Sequence, residues 1–408
     1  MRFNSELVWT GISQLVQFFG GILVFKLMTT LLTKNDYGTY SLFIAISAFV
    51  VAMPFSAVMQ GIVKYIPEMN GDEEKERLLR IFFTLFSCVI LIYAFVGFLV
   101  TEFNYSFGGN TLSLFLFVIF DVFKSSIYTA YNGLRKRKIY AFLVSFEYIL
   151  RLLLLLVVFF FLEANFQYAI FAFIIPSALV AAFSAFSIFG FTMRFSHEDF
   201  ANVKKVVFFS FPLIIWALFG WARDMGIRAY IEALLTREEL AAFTAISSLA
   251  VIVPTVLGSF ISMYILPILY EKELKFPGNA RSYVKKLLKY GFLFIIVFGI
   301  CINEFSINLV EILASSNYVD NADYFALLFV GQSLFTISMM MTVEIYCYNK
   351  TKLLIFPNVM SGLISIGVGY ALVSKYGIDG AFFASFFSYV SYFLFTFFVC
   401  YKFKPVVM

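Results

Sequence analysis

Ionisable side chains inside apolar runs are the residues of this chain that can do chemistry. Between Phe208 and Leu235, a stretch apolar enough to enter a bilayer carries Arg223, Asp224, Arg228 and Glu232 in its second half. A charge on a lipid-facing helix is costly, so such residues are expected to face protein or water and are functional candidates. Asp224, Arg228 and Glu232 recur at i,i+4, which predicts a ladder of ion pairs on one helix face. The ladder reads either as a structural lock near the outer interface or as part of a site. Arg223 projects about 100° from that face, has no local partner and is read as facing a cavity.

A second group sits earlier. Asp121 and Lys124 are i,i+3, and Glu147 and Arg151 are i,i+4, on consecutive apolar stretches either side of the basic tetrapeptide Arg135–Lys138. Counting outward from that loop places Asp121 near the depth of Arg151, and Lys124 nearer Glu147. Two readings stand: a neutralised packing lock, and an ion-coupling role for Asp121 or Glu147. Lys26 lies in the first apolar stretch and either snorkels to the outer interface or lines a cavity. Gln14, Gln17 and Gln60 either touch a polar ligand or bond neighbouring helices. Glu344 is placed at a cytoplasmic helix end, as a gate or a solvated residue. The four deep cations (Lys26, Lys124, Arg151, Arg223) and four deep anions (Asp121, Glu147, Asp224, Glu344) cancel, so a cationic cavity requires Lys26 and Arg223 to stay unpaired.

The elements that must position these residues are membrane helices. Apolar residues form 62% of the 408-residue chain and charged residues only 13%, against about 45–50% and about 25% for soluble domains. Aromatics reach 20%, which suits lipid-facing surfaces and interfacial belts. Cys88, Cys301, Cys347 and Cys400 lie in apolar stretches without metal or disulfide spacing, and are read as buried thiols. His197 is the only histidine, so no metal site or nucleophilic triad is predicted. The N-terminal stretch reads as an uncleaved first span.

About 20 apolar residues cross a bilayer. Twelve stretches meet that length, six from Glu6–Leu32 to Gln167–Met193 and six from Val206–Leu235 to Gly380–Tyr401. With the N-terminus in the cytoplasm, most Lys and Arg fall in cytoplasmic loops, and both termini lie inside. The segment Phe305–Ala314 is predicted to be an outer loop with a short amphipathic helix. The halves are similar: Leu31–Ser41 matches Leu234–Thr244 at an offset of 203, with Leu-Leu-Thr identical, Lys34 against Arg237 and Asp36 against Glu239. The expected architecture is all-α and integral to the membrane, with two parallel-repeat six-helix bundles: residues 1–196, a cytoplasmic linker 197–205, and residues 206–408.

Three stretches carry a family resemblance. They are the first hairpin with Tyr37-Gly38, the seventh helix with Pro212 and Asp224, and the segment from Gly377 to Ala381. In these and in span order, the chain resembles the polysaccharide-exporter branch of the multidrug/oligosaccharidyl-lipid/polysaccharide (MOP) superfamily. One departure is Ala241-Ala242-Phe243, where the family has Gly-x-Tyr.

The resemblance implies a flippase of the bacterial cytoplasmic membrane and no enzyme activity. It would carry an undecaprenyl-pyrophosphate-linked oligosaccharide, such as an O-antigen repeat unit, across by alternating access through a central cationic cavity. Pyrophosphate calls for Arg or Lys in a polar cleft. Arg223 and Lys26, with Arg151 and Arg228, are the expected substrate-binding cations. Asp224, Asp121, Glu147, Lys124 and Glu344 are the candidates for ion coupling or gating. No cofactor is expected beyond a proton or sodium gradient. The expected partners are the lipid-linked substrate, membrane lipid and other polysaccharide-assembly membrane proteins, and no nucleic acid. The rivals are a multidrug or cation exporter of the same superfamily, a polysaccharide polymerase, and a small-molecule importer of another fold. The outer segment Asn303–Asp323 has no Lys or Arg, which argues against a polymerase holding a glycan.

Overall fold

The repeated Leu-Leu-Thr motif is a repeated helix start. Thr33 accepts from the backbone N–H of Asp36 at 3.2 Å and donates to its carboxylate at 3.0 Å. Thr236 accepts from the N–H of Glu239 at 3.2 Å, and Glu239 accepts from the Thr236 backbone at 3.0 Å, which closes a capping box. Each acid also sits in a helix first turn, where the dipole favours it.

The computed structural model describes residues 2–66, 69, 71–104, 111–162, 165–187, 197–261, 265–275, 279–348 and 350–403, and their regular structure is entirely helical. In order these are α1 (Arg2–Leu31), α2 (Lys34–Val50), an irregular π turn (Val51–Ser56), α3 (Ala57–Tyr65), α4 (Asp72–Asn104), α5 (Thr111–Gly133), α6 (Arg137–Phe161) and α7 (Phe166–Ser187). Then come α8 (His197–Leu234), α9 (Arg237–Phe260), α10 (Leu266–Lys275), α11 (Asn279–Glu304), α12 (Ser306–Leu313), α13 (Tyr324–Met341), α14 (Val343–Cys347) and α15 (Ile355–Lys402), with 3₁₀ turns at Ser316–Asn321 and Thr351–Leu354.

Among the described residues, ten helical stretches are long and apolar enough to cross a membrane. One is the 51-residue Lys352–Lys402, which holds the eleventh and twelfth predicted spans. It folds back on itself at Gly377, where the backbone takes φ 60° and ψ −136°. Only glycine enters that region without strain. A Cβ at Gly380 would run into the Leu372 carbonyl, and the Phe356 and Phe395 rings meet at 5.5 Å, so the two arms pack as a hairpin. The 33-residue α4 contains the third predicted span, Leu78–Val100. The α2–α3 span bends where Met53 leaves helical geometry beside Pro54.

Residues 197–205 are the helical opening of α8. The short helix predicted in Phe305–Ala314 is α12, which buries Ser306 and Val310 one turn apart. The thiols of Cys88 and Cys301 are a correction: both are exposed on helix faces, and Cys400 is half-buried. Apolar helices turn many such residues outward, because their outer faces need no protein partner.

The chain forms two compact units. The first comprises Met1–Leu32 and Phe43–Leu218, the second Thr33–Leu42 and Phe219–Met408. In the first, α1 packs on α6, and α7 on α5 and α6. Its core gathers Phe55, Met59, Ile62, Leu79, Phe82 and Tyr131. In the second, α13 is central, packed by α9, α11 and α15. The repeat-related Ser41 and Thr244, 203 residues apart, meet hydroxyl to hydroxyl at 2.5 Å in the second unit. There the start of α2 lies so close to that of α9 that a Cβ on Gly38 would strike the Arg237 carbonyl.

Candidate functional site

Two charge clusters occupy membrane helices, one in each unit. In the first unit, α5 presents Asp121, Lys124 and Tyr128, α6 presents Glu147 and Arg151, and α2 adds Ser47. The Lys124 ammonium lies 2.8 Å from Asp121 Oδ1 and 3.2 Å from Glu147 Oε1, bridging the helices. Arg151 closes on Glu147 one turn away. The remaining carboxylate oxygens are also bonded: Ser47 donates to Asp121 Oδ2 at 2.6 Å, and the Tyr128 hydroxyl to Glu147 Oε2 at 2.5 Å. The Arg151 guanidinium lies 4.5 Å from the Phe173 ring centre and 5.3 Å from that of Tyr148. All four predicted residues thus meet, in a formally neutral group. The depth count holds for Lys124, which reaches Glu147 across the helices, and differs for Asp121, which is held by Lys124 and Ser47 while Arg151 closes on Glu147. The local spacings, i,i+3 and i,i+4, set the contacts.

In the second unit the site is built on the second half of α8. Arg223 is 3% exposed. Its Nε and Nη2 donate to the two oxygens of Asp224 at 2.9 and 3.1 Å, a bidentate pair. Its Nη1 donates to Asn358 Oδ1 at 2.6 Å, and its guanidinium lies 4.4 Å from the Phe335 ring centre and 4.9 Å from that of Tyr392. Tyr389 hydrogen-bonds the same Asp224. Arg223 therefore has a local partner, contrary to the 100° argument, because a four-bond arm lets the guanidinium turn back to its neighbour.

The predicted ladder is not formed. Asp224 is taken by Arg223, and Glu232 pairs with Arg237 at 3.1 Å. Arg228, 7% exposed, is left against the Thr244 hydroxyl at 3.4 Å and the Met225 sulfur. Tyr389, Tyr37 and, beyond ion-pair distance, Asp224 are near enough to act on its charge. Among the described residues, no carboxylate comes within ion-pair distance of Arg228. Spacing at i,i+4 only places side chains on a common face; each acid here has a better-placed guanidinium.

Lys26 is half-buried on α1 in the first unit. Gln17 of α1 donates to Tyr140 at 2.9 Å, an interhelical bond; Gln14 is half-buried and Gln60 is exposed. Glu344 lies on α14 and His197 opens α8, and both side chains lie outside the described residues. Among the described residues, no three His, Cys, Asp or Glu side chains gather to hold a metal. Sequence reasoning missed Ser47, Tyr128, Asn358 and Tyr389. Asn358 had a signal, being an amide inside an apolar span; the others did not.

No protein-family model matches the sequence, and no curated protein matches it. Solved structures do match. Lipid II flippase MurJ in an inward closed conformation aligns with a TM-score of 0.74 over 98% of this chain and 88% of that chain, at 15% identity. An inward-facing multidrug resistance MATE family transporter of the MOP superfamily aligns with a TM-score of 0.71 over 99% of this chain and 100% of that one, at 13% identity. The chain has the fold of MOP-superfamily transporters. A MOP transporter from Pyrococcus furiosus, described by the reversed polarity of its binding pocket, aligns at a TM-score of 0.53 with 12% identity. With its long apolar helices, this MOP-fold chain is a multi-pass membrane protein.

Proposed function

We propose that the chain is a flippase moving an undecaprenyl-pyrophosphate-linked oligosaccharide, an O-antigen unit or a similar surface-polysaccharide precursor, from the cytoplasmic to the outer leaflet by alternating access. The observation that carries this reading is Arg228. Two buried arginines, Arg223 and Arg228, lie within six residues of α8, and the aspartate between them pairs with Arg223. A buried guanidinium with no carboxylate at ion-pair distance is expensive, and an anionic ligand reaching Arg228 would compensate it. The Thr244 hydroxyl beside it, itself bonded to that of Ser41, suits a phosphate or sugar oxygen. A diphosphate on a lipid suits such a place, and the shared fold with a lipid II flippase agrees with that chemistry. Lys26 and Arg151 complete the proposed set of substrate cations. Asp121, Lys124, Glu147, Asp224 and Glu344 are the proposed coupling or gating groups for a proton or sodium gradient.

In this reading the protein works in the bacterial cytoplasmic membrane, with both termini inside and other polysaccharide-assembly membrane proteins as partners. A cation exporter is the second reading. The side chain of Asp224 is 38% exposed and offers carboxylate to a cationic drug, as the likeness to a MATE transporter also allows.

Proteoliposomes given a fluorescent polyprenyl-pyrophosphate oligosaccharide test both. Flipping by the wild type and its loss in Arg228→Gln support the flippase. Flipping no faster than in empty vesicles, with uptake of a cationic dye abolished by Asp224→Asn, would replace it with the exporter.

A further inference from the structure

We propose that the second unit carries a separate site for an anionic glycerophospholipid of the surrounding bilayer, in a cleft between the start of α11 and the ends of α13 and α15. The cleft has a volume of about 580 Å³. Its polar end presents Arg281, Lys285 and Lys402, and among the described residues no carboxylate lines it. Its wall is apolar, with Val284, Leu288 and Phe397. A cationic end joined to an apolar wall is complementary to a phosphate headgroup joined to an acyl chain.

The depth is right for a lipid already in the membrane. On α11 the unbroken apolar run starts at Tyr290, after Arg281 and Lys285, and on α15 it ends at Tyr401, before Lys402. The three cations therefore flank the apolar runs of two helices, the place where basic side chains meet lipid headgroups. Lysines there extend their stems along apolar surface and their ammonium groups toward the phosphates. Lys402 lies 4.3 Å from the Phe398 ring centre, and Lys285 is exposed. The mouth opens outward: Phe397 is 50% exposed and Tyr401 72% exposed. A residue of the bilayer reaches such a mouth directly, whereas a soluble phosphate would leave the apolar wall unfilled.

Arg281 also has a structural duty. Its Nη2 donates to the carbonyls of Cys400 at 3.0 Å and Phe403 at 3.2 Å, closing the end of α15. A lipid held beside it would tie α11 to the end of α15. Arg281 is therefore left intact in the test, and the two lysines are changed. Lys286 and Lys289 are exposed on the same helix outside the cleft, and serve as a charge-matched control.

Native mass spectrometry of the full chain, titrated with phosphatidylglycerol and with phosphatidylethanolamine, reads the site. The wild type is expected to retain one phosphatidylglycerol in preference to phosphatidylethanolamine. Lys285→Gln with Lys402→Gln is expected to weaken that retention on the order of tenfold, while Lys286→Gln with Lys289→Gln leaves it unchanged. Equal weakening by the two double variants would reduce the effect to surface charge and overturn the site. Equal retention of the two lipids, or displacement of phosphatidylglycerol by soluble glycerol phosphate at the same concentration, would also overturn it. Flipping activity does not enter this readout, so its outcome is independent of the proposed transport function.

Discussion

The two charge clusters are built from the same residue types and differ in arithmetic. On α5 and α6, two cations meet two carboxylates, and Ser47 and Tyr128 bond the outer oxygens. On α8, two arginines meet one aspartate, and the second arginine rests on a hydroxyl and a thioether. A closed, neutral network in a low-dielectric setting gains from every bond, and its members meet a ligand or a coupling ion only by giving up a bond already made. A network one anion short is less stable by itself and keeps an electrostatic demand that a ligand can meet. The first cluster is organised as a fastener, and the second as a receptor.

The largest expected effect breaks the fastener. Glu147→Ala leaves Lys124 and Arg151 buried without their shared carboxylate. Removing one partner of a buried pair typically costs about 3–5 kcal/mol. The variant should lose much of its folded yield in detergent and melt far below the wild type by thermal-shift chromatography. A wild-type melting temperature would mean that the quartet is solvated, and the contrast with α8 would fail.

Arg228→Gln should behave in the opposite way. The substitution removes a buried charge with no carboxylate at ion-pair distance, and loses the contacts to Thr244 and Met225, each worth about 1 kcal/mol or less. Its melting temperature should stay near the wild type or rise, while flipping of the lipid-linked oligosaccharide falls at least tenfold. Arg223→Ala falls between the two. It removes the guanidinium that Asp224 and Asn358 bond and should cost both stability and transport. If Arg228→Gln were as unstable as Glu147→Ala, both clusters would be structural.

Gly380→Ala probes the hairpin that brings Tyr389 and Tyr392 back to Arg223. The added methyl would press on the Leu372 carbonyl, and overpacking of this kind costs about 1–3 kcal/mol. The effect should appear as reduced thermal stability, with transport reduced in step because Arg223 loses its aromatic walls.

Much of this was legible in the sequence and some was not, for reasons of range. Hydropathy gave the helical membrane class, since a bilayer-length apolar run has few other uses. The quartet was legible because its spacings place each pair on one face of one helix, and a short loop joins those helices. The motif at Thr33 and Thr236 was legible as a repeat, though its meaning as a cap needed the backbone. Asn358 was not legible as a partner of Arg223, because 135 residues separate them and no local pattern joins α8 to α15. The ladder was misread for a related reason. Its three members share a face, but which guanidinium an acid takes depends on side-chain reach and on neighbours from other helices. The lone buried arginine emerged only when those pairings were known.

The smallest expected effect sharpens the comparison from its supports. Helix α2 carries Ser47 to the quartet, and α9 carries Thr244 to Arg228, and each helix starts at a capping threonine. Thr33→Ala and Thr236→Ala each remove one side-chain acceptor from a helix N-terminus, at about 1 kcal/mol apiece. Similar small falls in melting temperature are expected, since the caps are equivalent by the repeat. Their consequences should diverge. A frayed α2 start lies three turns from Ser47 and should leave the quartet intact. A frayed α9 start lies two turns from Thr244 and should loosen the one hydroxyl facing Arg228. Thr236→Ala should therefore reduce flipping modestly while Thr33→Ala does not. Equal transport from the two variants would show that the Thr244 hydroxyl contributes nothing to ligand recognition at Arg228.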